Sequence, residues 1–190
     1  MARPRARHAL MLAATAAAML VMAIGGAVAA VPSGAAAAPG LTPANPPMLD
    51  GTITGYAGLC LDDYHSGAAN GTEVDLYRCN NTRAQSWFFN YSEDTGGEIV
   101  GEIANDGSGK CLNDAGYGGA GSKVILWDCT NTSNEIWTYW SQWHEYSVTI
   151  GAHTYCMNDP AYSSQPGTQQ IMWTCPDTAN EQYTQIPWTG

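Results

Sequence analysis

Six cysteines divide this chain into three copies of one unit, and that tripling constrains the fold more than any other feature of the sequence. They fall in pairs, Cys60 with Cys79, Cys111 with Cys129 and Cys156 with Cys175, spaced 19, 18 and 19 residues apart. The same residues recur around each pair. The first copy reads Cys60-Leu61-Asp62-Asp63, then Gly71-Thr72-Glu73-Val74-Asp75-Leu76-Tyr77-Arg78-Cys79, then Gln85-Ser86-Trp87. The second reads Cys111-Leu112-Asn113-Asp114, then Gly121 to Cys129 with Val124, Leu126 and Trp127 in place, then Glu135-Ile136-Trp137. The third reads Cys156-Met157-Asn158-Asp159, then Gly167 to Cys175 with Met172 and Trp173, then Glu181-Gln182-Tyr183.

A repeat of this kind selects one disulfide per copy: Cys60–Cys79, Cys111–Cys129 and Cys156–Cys175. Each bridge closes a loop worth about 3 kcal/mol on chain-entropy grounds. Zinc is the competing use of cysteine. It is disfavoured because no Cys-x-x-Cys pair exists and His65, His144 and His153 fall at no common spacing. No metal and no cofactor are expected.

Within a copy, Val74 and Leu76 alternate with Asp75 and Tyr77, and Val124 and Leu126 alternate with Ile125 and Trp127. That period of two predicts short strands with one apolar face and one aromatic ring on the other. Nothing has the period of a long amphipathic helix, so the fold class is all-β. Trp87, Trp137 and Tyr183 each follow the second cysteine by 8 residues and are expected core anchors. In the third copy Gln170 replaces Val74 and Val124, and looser packing is expected there. One such unit cannot bury its own face, whereas three around an axis can close a barrel and remove the strand edges.

The chain begins with Arg3, Arg5 and Arg7, then an apolar run from Ala9 to Ile24, then small residues through Ala30. This pattern predicts a signal peptide over 1–30 and a secreted, extracellular product. Residues 31–48 are rich in Ala, Pro and Gly and are expected to form a linker before one domain at 49–190. Beyond the leader, four Lys and Arg face 17 Asp and Glu, a net charge of −13. Such a surface excludes nucleic acid and anionic membranes as partners, since both require a basic patch.

The Cys-Leu-Asp start, the Gly-x-x-Val-x-Leu-aromatic-x-Cys middle and the Gln-x-Trp end, given three times, resemble the ricin-type lectin repeat. The resemblance covers about residues 50 to 190. It implies a β-trefoil in which each copy contributes four strands and one shallow sugar pocket, and a lectin that binds carbohydrate without catalysis. Galactose- or xylose-containing polysaccharides are the partners it implies. It also implies site residues. In the first copy these are Asp62 and Asp75 as carboxylates, Tyr77 as stacking plate and Gln85 as a further hydrogen-bonding group, with Ala84 where Asn is expected. In the second they are Asn113, Trp127 and Asn134, followed by Glu135; in the third Asn158, Trp173 and Asn180, followed by Glu181. The glutamates either lie in solvent or link strands. The second and third copies have lost the first carboxylate and carry Ile125 and Ile171 at the place of Asp75. Asp63, Asp114 and Asp159 follow directly and are expected to take over if the loop shifts by one residue.

The chemistry of a sugar suits this set. A pyranose has an apolar C–H face for an aromatic plate, and hydroxyls that carboxylates bind with charge-assisted hydrogen bonds. Two other functions compete. An enzyme would need a catalytic constellation, and no Gly-x-Ser-x-Gly, His-Glu-x-x-His or phosphate-loop motif is present. A secreted protein-binding trefoil, an inhibitor or adhesion module with degenerate sugar sites, is the alternative reading, because fold alone does not decide function.

Overall fold

The computed structural model describes residues 48–184, 186 and 187. The expected leader and almost all of the expected linker lie outside the described residues; the first strand begins at Met48.

Twelve strands follow in chain order. The first copy gives β1 (Met48–Gly51), β2 (Cys60–Asp63), β3 (Thr72–Tyr77) and β4 (Trp87–Asp94). The second gives β5 (Glu98–Asn105), β6 (Cys111–Asp114), β7 (Val124–Trp127) and β8 (Ile136–Trp140). The third gives β9 (Glu145–Ile150), β10 (His153–Asn158), β11 (Thr168–Gln169) and β12 (Ile171–Thr174). Strands β11 and β12 are the two halves of the strand equivalent to β3 and β7, interrupted at Gln170. The fourth place in this copy is taken by the segment from Tyr183, whose amide donates to the His144 carbonyl while that of Thr184 donates to the Thr54 carbonyl. No helix longer than a 3-10 turn occurs among the described residues.

Pairing explains why three copies are needed. Strands β1, β4, β5, β8 and β9 pair in series, antiparallel or through the terminal segment, as a barrel wall. The hairpins β2–β3, β6–β7 and β10–β12 cap it and pair with one another in a ring. Thr72 and Glu73 of β3 face Leu126 and Ile125 of β7, Lys123 beside β7 bridges to Ile171 of β12, and β11 returns to Leu76 and Asp75 of β3. Gly71, Gly121 and Gly167 start these ring contacts, each donating its amide to a Leu or Met carbonyl of the next hairpin, at φ of 90°, 87° and 90°. Side-chain-bearing residues rarely adopt that backbone, which is why the glycine recurs. The ring is the closed β-trefoil that the resemblance implies.

The core repeats with the sequence. Leu61, Leu112 and Met157, with Leu76, Leu126 and Met172, are fully buried, as are Trp87, Trp137 and Tyr183. Both indole N–H groups donate to the carbonyl of the buried leucine after the first cysteine, Leu61 at 3.0 Å and Leu112 at 2.8 Å. The third copy solves the same position differently. The Tyr183 hydroxyl donates to Oε1 of Gln170, whose Nε2 donates to the Thr168 carbonyl at 3.0 Å. Gln170 is fully buried, so the looser packing expected there does not occur: the polar residue and the Trp-to-Tyr exchange satisfy each other.

All three expected disulfides form, with Cα–Cα separations of 5.1, 5.0 and 5.2 Å, and no described cysteine is free. Each fastens the base of a cap hairpin. Cys60, Cys111 and Cys156 lie directly across from Tyr77, Trp127 and Trp173, so each bridge also fixes the strand that carries a candidate plate.

Candidate carbohydrate-binding site

Each cap hairpin borders an open cleft, and the three clefts occupy equivalent places. Their volumes are about 270, 280 and 310 Å³ in the first, second and third copies. One wall is the ring at the end of the hairpin. Tyr77, Trp127 and Trp173 are 44%, 42% and 46% exposed, so the plates stand open and are not covered by neighbouring loops.

A second ring faces each cleft from the turn after the first cap strand: Tyr64, Tyr117 and Tyr162, all largely exposed. Reading from the repeat missed these residues. They stand 4, 6 and 6 residues after the first cysteine, so they do not align, although every copy has a tyrosine within that reach. The turns that carry them are strained alike, with consecutive left-handed residues at His65 and Ser66 (φ 57° and 53°), Gly116 and Tyr117 (64° and 58°) and Ala161 and Tyr162 (57° and 55°). The opposite lip is matched: Asn81, Asn131 and Asp177, each two residues after the second cysteine, have φ of 57°, 56° and 61°. Left-handed backbone recurs on both lips, and at Ser66, Tyr117, Ala161 and Tyr162, which are neither Gly nor Asn/Asp, it costs about 1–3 kcal/mol per residue, a feature of ligand clamps.

The cleft floors differ. In the second copy Asn113 accepts from Asn134 at 3.1 Å and donates to Glu135 at 3.0 Å. Asn134 in turn donates to the Asp114 carbonyl and accepts from the Thr132 hydroxyl. The third copy repeats this, with Asn158 accepting from Asn180 at 3.1 Å and donating to Glu181 at 3.2 Å. The side-chain oxygen and nitrogen of Asn113 and Asn158 thus each hold one partner within the protein. Ile125 and Ile171 stand beside these polar side chains where the first copy has Asp75, and Glu135 also lines the second cleft.

The first floor is open. Ala84 stands where the other copies have Asn134 and Asn180, and Asp62 receives one side-chain hydrogen bond, from Gln85 to Oδ2 at 2.7 Å. Directly across the strands lies Asp75, 2% exposed, with its Oδ1 buried and unpartnered among the described residues. Both carboxylates line the cleft. Burial, then the fields of Asp62, Glu73 and Asp63, push the Asp75 carboxyl up to about 7. Burial also raises that of Asp62, against the lowering effects of Gln85 and His65.

Two sequence expectations change here. Gln85 does not line the cleft. It is buried behind Asp62, donates also to the Arg78 carbonyl at 3.0 Å and accepts from the Asn80 amide at 2.8 Å, so its polar atoms are spent on holding Asp62 and the lip. Glu135 and Glu181 do the same for their lips, accepting from the Thr130 and Asp177 amides, and both are fully buried rather than in solvent. Nor do Asp63, Asp114 and Asp159 replace the missing carboxylates. They point into the fold and tie down the turns, accepting from the Gly67, Gly119 and Ser163 amides respectively, because no one-residue shift occurs. Among the described residues no group of three or more His, Cys, Asp or Glu is placed to hold a metal ion.

Comparison with known proteins agrees with this geometry. Residues 99–188 match the ricin-type beta-trefoil lectin domain, and residues 53–127 match the ricin-type beta-trefoil lectin domain-like model. The chain belongs to the ricin-type β-trefoil lectin family. It is 31% identical over 91 residues to abrin-a of Abrus precatorius, covering 48% of this chain and 15% of that protein. It is 35% identical over 118 residues to serine protease 1 of Rarobacter faecitabidus, covering 45% of this chain and 22% of that protein. This lectin domain thus corresponds to less than a quarter of either relative. Among solved structures, the C-half of an earthworm R-type lectin in complex with GalNAc shares the fold, with a TM-score of 0.55 at 11% identity over 71% of this chain and 95% of that chain.

Proposed function

We propose that this lectin is a secreted, non-catalytic protein that binds polysaccharide through its three clefts, with galactose- or xylose-containing polymers as its ligands. One observation carries the reading: three equivalent clefts each hold two open aromatic rings above a polar floor. An exposed ring offers a pyranose its face, and paired rings on opposite walls suit a short run of sugar units. Asp62, Asp75 and Tyr77, with Tyr64, form the contact set of the first cleft; Trp127 with Tyr117 and Trp173 with Tyr162 form those of the second and third. Asn113, Asn134, Asn158 and Asn180 shape their floors. The GalNAc bound by the earthworm lectin supports a sugar as occupant.

A hydrolase needs carboxylates on either side of the scissile bond. Asp62 and Asp75 instead rise from one floor, directly opposite in register, and meet a bound ring from the same side. The signal-like leader and the charge of −13 support an extracellular protein that keeps away from nucleic acid and membranes.

The test is retention on insoluble xylan, galactan, chitin and galactose resin, followed by elution with free sugar and assay for reducing ends. Retention on at least one matrix with sugar-specific elution is expected. Failure on all of them would favour the protein-binding alternative, and release of reducing sugar would overturn the non-catalytic assignment.

A further inference from the structure

The geometry points to a first cleft specialised for a sugar bearing a free ammonium group, an amino sugar rather than a neutral or N-acetylated one. This rests on the carbohydrate-binding reading above and specifies the ligand of one of its sites.

Asp62 and Asp75 are cross-strand partners, which puts their Cβ atoms about 4.5–5.5 Å apart on the same face of the sheet. Like charges so placed repel, and each side chain is more than nine-tenths buried. No lysine or arginine lines the cleft: Arg83 is engaged by Asp106, Lys110 by Asp128 and Lys123 by Glu73, and Arg78 is exposed outside the lining. The charged groups that act on Asp75 are Asp62 and Asp63 on β2 and Glu73 on its own strand, all acidic, and its neighbour on β11 is the uncharged Gln169. His65, in the turn beyond β2, is the one basic side chain lining the cleft. The Asp75 side chain lines the cleft and its Oδ1 is buried without a hydrogen bond, so what this carboxyl lacks is a donor.

A neutral hydroxyl brings one donor and no charge. An ammonium brings three donors and the positive charge that lets both carboxylates ionise together, and the faces of Tyr64 and Tyr77 add cation–π attraction. The other clefts supply an internal comparison. They keep the rings but carry Asn and Ile at these two positions, so neither sets two cross-strand carboxylates on its floor.

The test titrates the full chain with a glucosamine tetramer, the corresponding N-acetylglucosamine tetramer, a xylose tetramer and a lysine tetramer, following the Tyr64 and Tyr77 ring resonances. The expected result is at least tenfold tighter binding of the glucosamine tetramer than of its N-acetylated form at the first cleft. Asp75→Asn should reduce that ratio to below threefold. Glu93→Gln removes the same charge from an exposed site and should leave the ratio unchanged, which separates a built site from general attraction to an acidic protein. Equal affinity for amine and N-acetyl forms, an equal effect of Asp75→Asn and Glu93→Gln, or a lysine tetramer that binds at least as tightly as the amino sugar would each overturn the proposal. If the neutral tetramers bind and the amine shows no preference, the lectin reading stands and only the ammonium assignment falls. If no sugar perturbs any cleft, the lectin reading fails first.

Discussion

Replacing Asp75 by Asn should stabilise this protein, and by an amount that depends on pH. The carboxyl is raised from the usual 3.8 to about 7 by burial and by the acidic groups around it. In the unfolded chain it therefore loses its proton near pH 4, while the folded protein keeps it until about pH 7. Between those values the folded state binds more protons than the unfolded state, so stability falls as pH rises and the full penalty stands above pH 7. At about 1.36 kcal/mol per pH unit the ceiling is about 4 kcal/mol. Because the side chain borders an open cleft, solvent screening reduces this to about 2 kcal/mol. The Asn variant removes the penalty and offers an amide donor toward Asp62. Thermal melts with the disulfides intact should show a midpoint about 6–10 °C above wild type at pH 8, converging to within about 2 °C at pH 4. A variant less stable at pH 8, or a gain independent of pH, would refute the picture of a buried carboxylate without a compensating partner.

Trp127→Ala and Trp173→Ala each remove an open ring; each should weaken polysaccharide binding about tenfold, as measured by titration, while stability stays within about 0.5 kcal/mol. Gln170→Leu strands the Tyr183 hydroxyl and Tyr183→Phe strands the Gln170 oxygen; each should cost about 1–3 kcal/mol in urea unfolding, with the double variant much less destabilised than the sum. Removing one bridge by Cys60→Ser with Cys79→Ser should cost about 3 kcal/mol, read from the denaturation midpoint, and should loosen the first cleft most, because that bridge holds the strand carrying Tyr77.

The architecture was legible because its determinants are tripled. The paired cysteines, the Gly that opens the ring contact, the buried Leu and Leu/Met positions and the Trp or Tyr anchor recur in step, and each has a local physical reason. The disulfide partners could be placed from spacing and the aromatic strand face from alternation, while the plate role of Tyr77, Trp127 and Trp173 came from the family resemblance. The fine structure of the clefts could not. Tyr64, Tyr117 and Tyr162 occupy different positions in a turn whose left-handed residues make them converge, which spacing does not reveal. Gln85 reads as a sugar contact until its three hydrogen bonds are counted. Asp63, Asp114 and Asp159 sit one residue from the cleft, but strand alternation sends them to the opposite face, where they hold turns.

The same reasoning explains how a symmetric backbone carries unlike sites. Symmetry is enforced where burial and backbone hydrogen bonding leave little choice: in the barrel, in the ring of hairpins and behind the lips. The floor is different, because its polar atoms can be satisfied from within or from outside. An Asn at 134 or 180 satisfies its neighbour and closes the floor, leaving the rings to bind by stacking. Ala84 offers no such amide, so Asp62 keeps an oxygen unspent, and Asp75 replaces an isoleucine beside it. Three differences, Asp62 for Asn, Asp75 for Ile and Ala84 for Asn, thus make one of three equivalent clefts acidic. On the proposed reading, with all three clefts on one frame, the second and third hold a polymer by its sugar faces while the first selects for charge, so that avidity and selectivity come from different copies of the same unit.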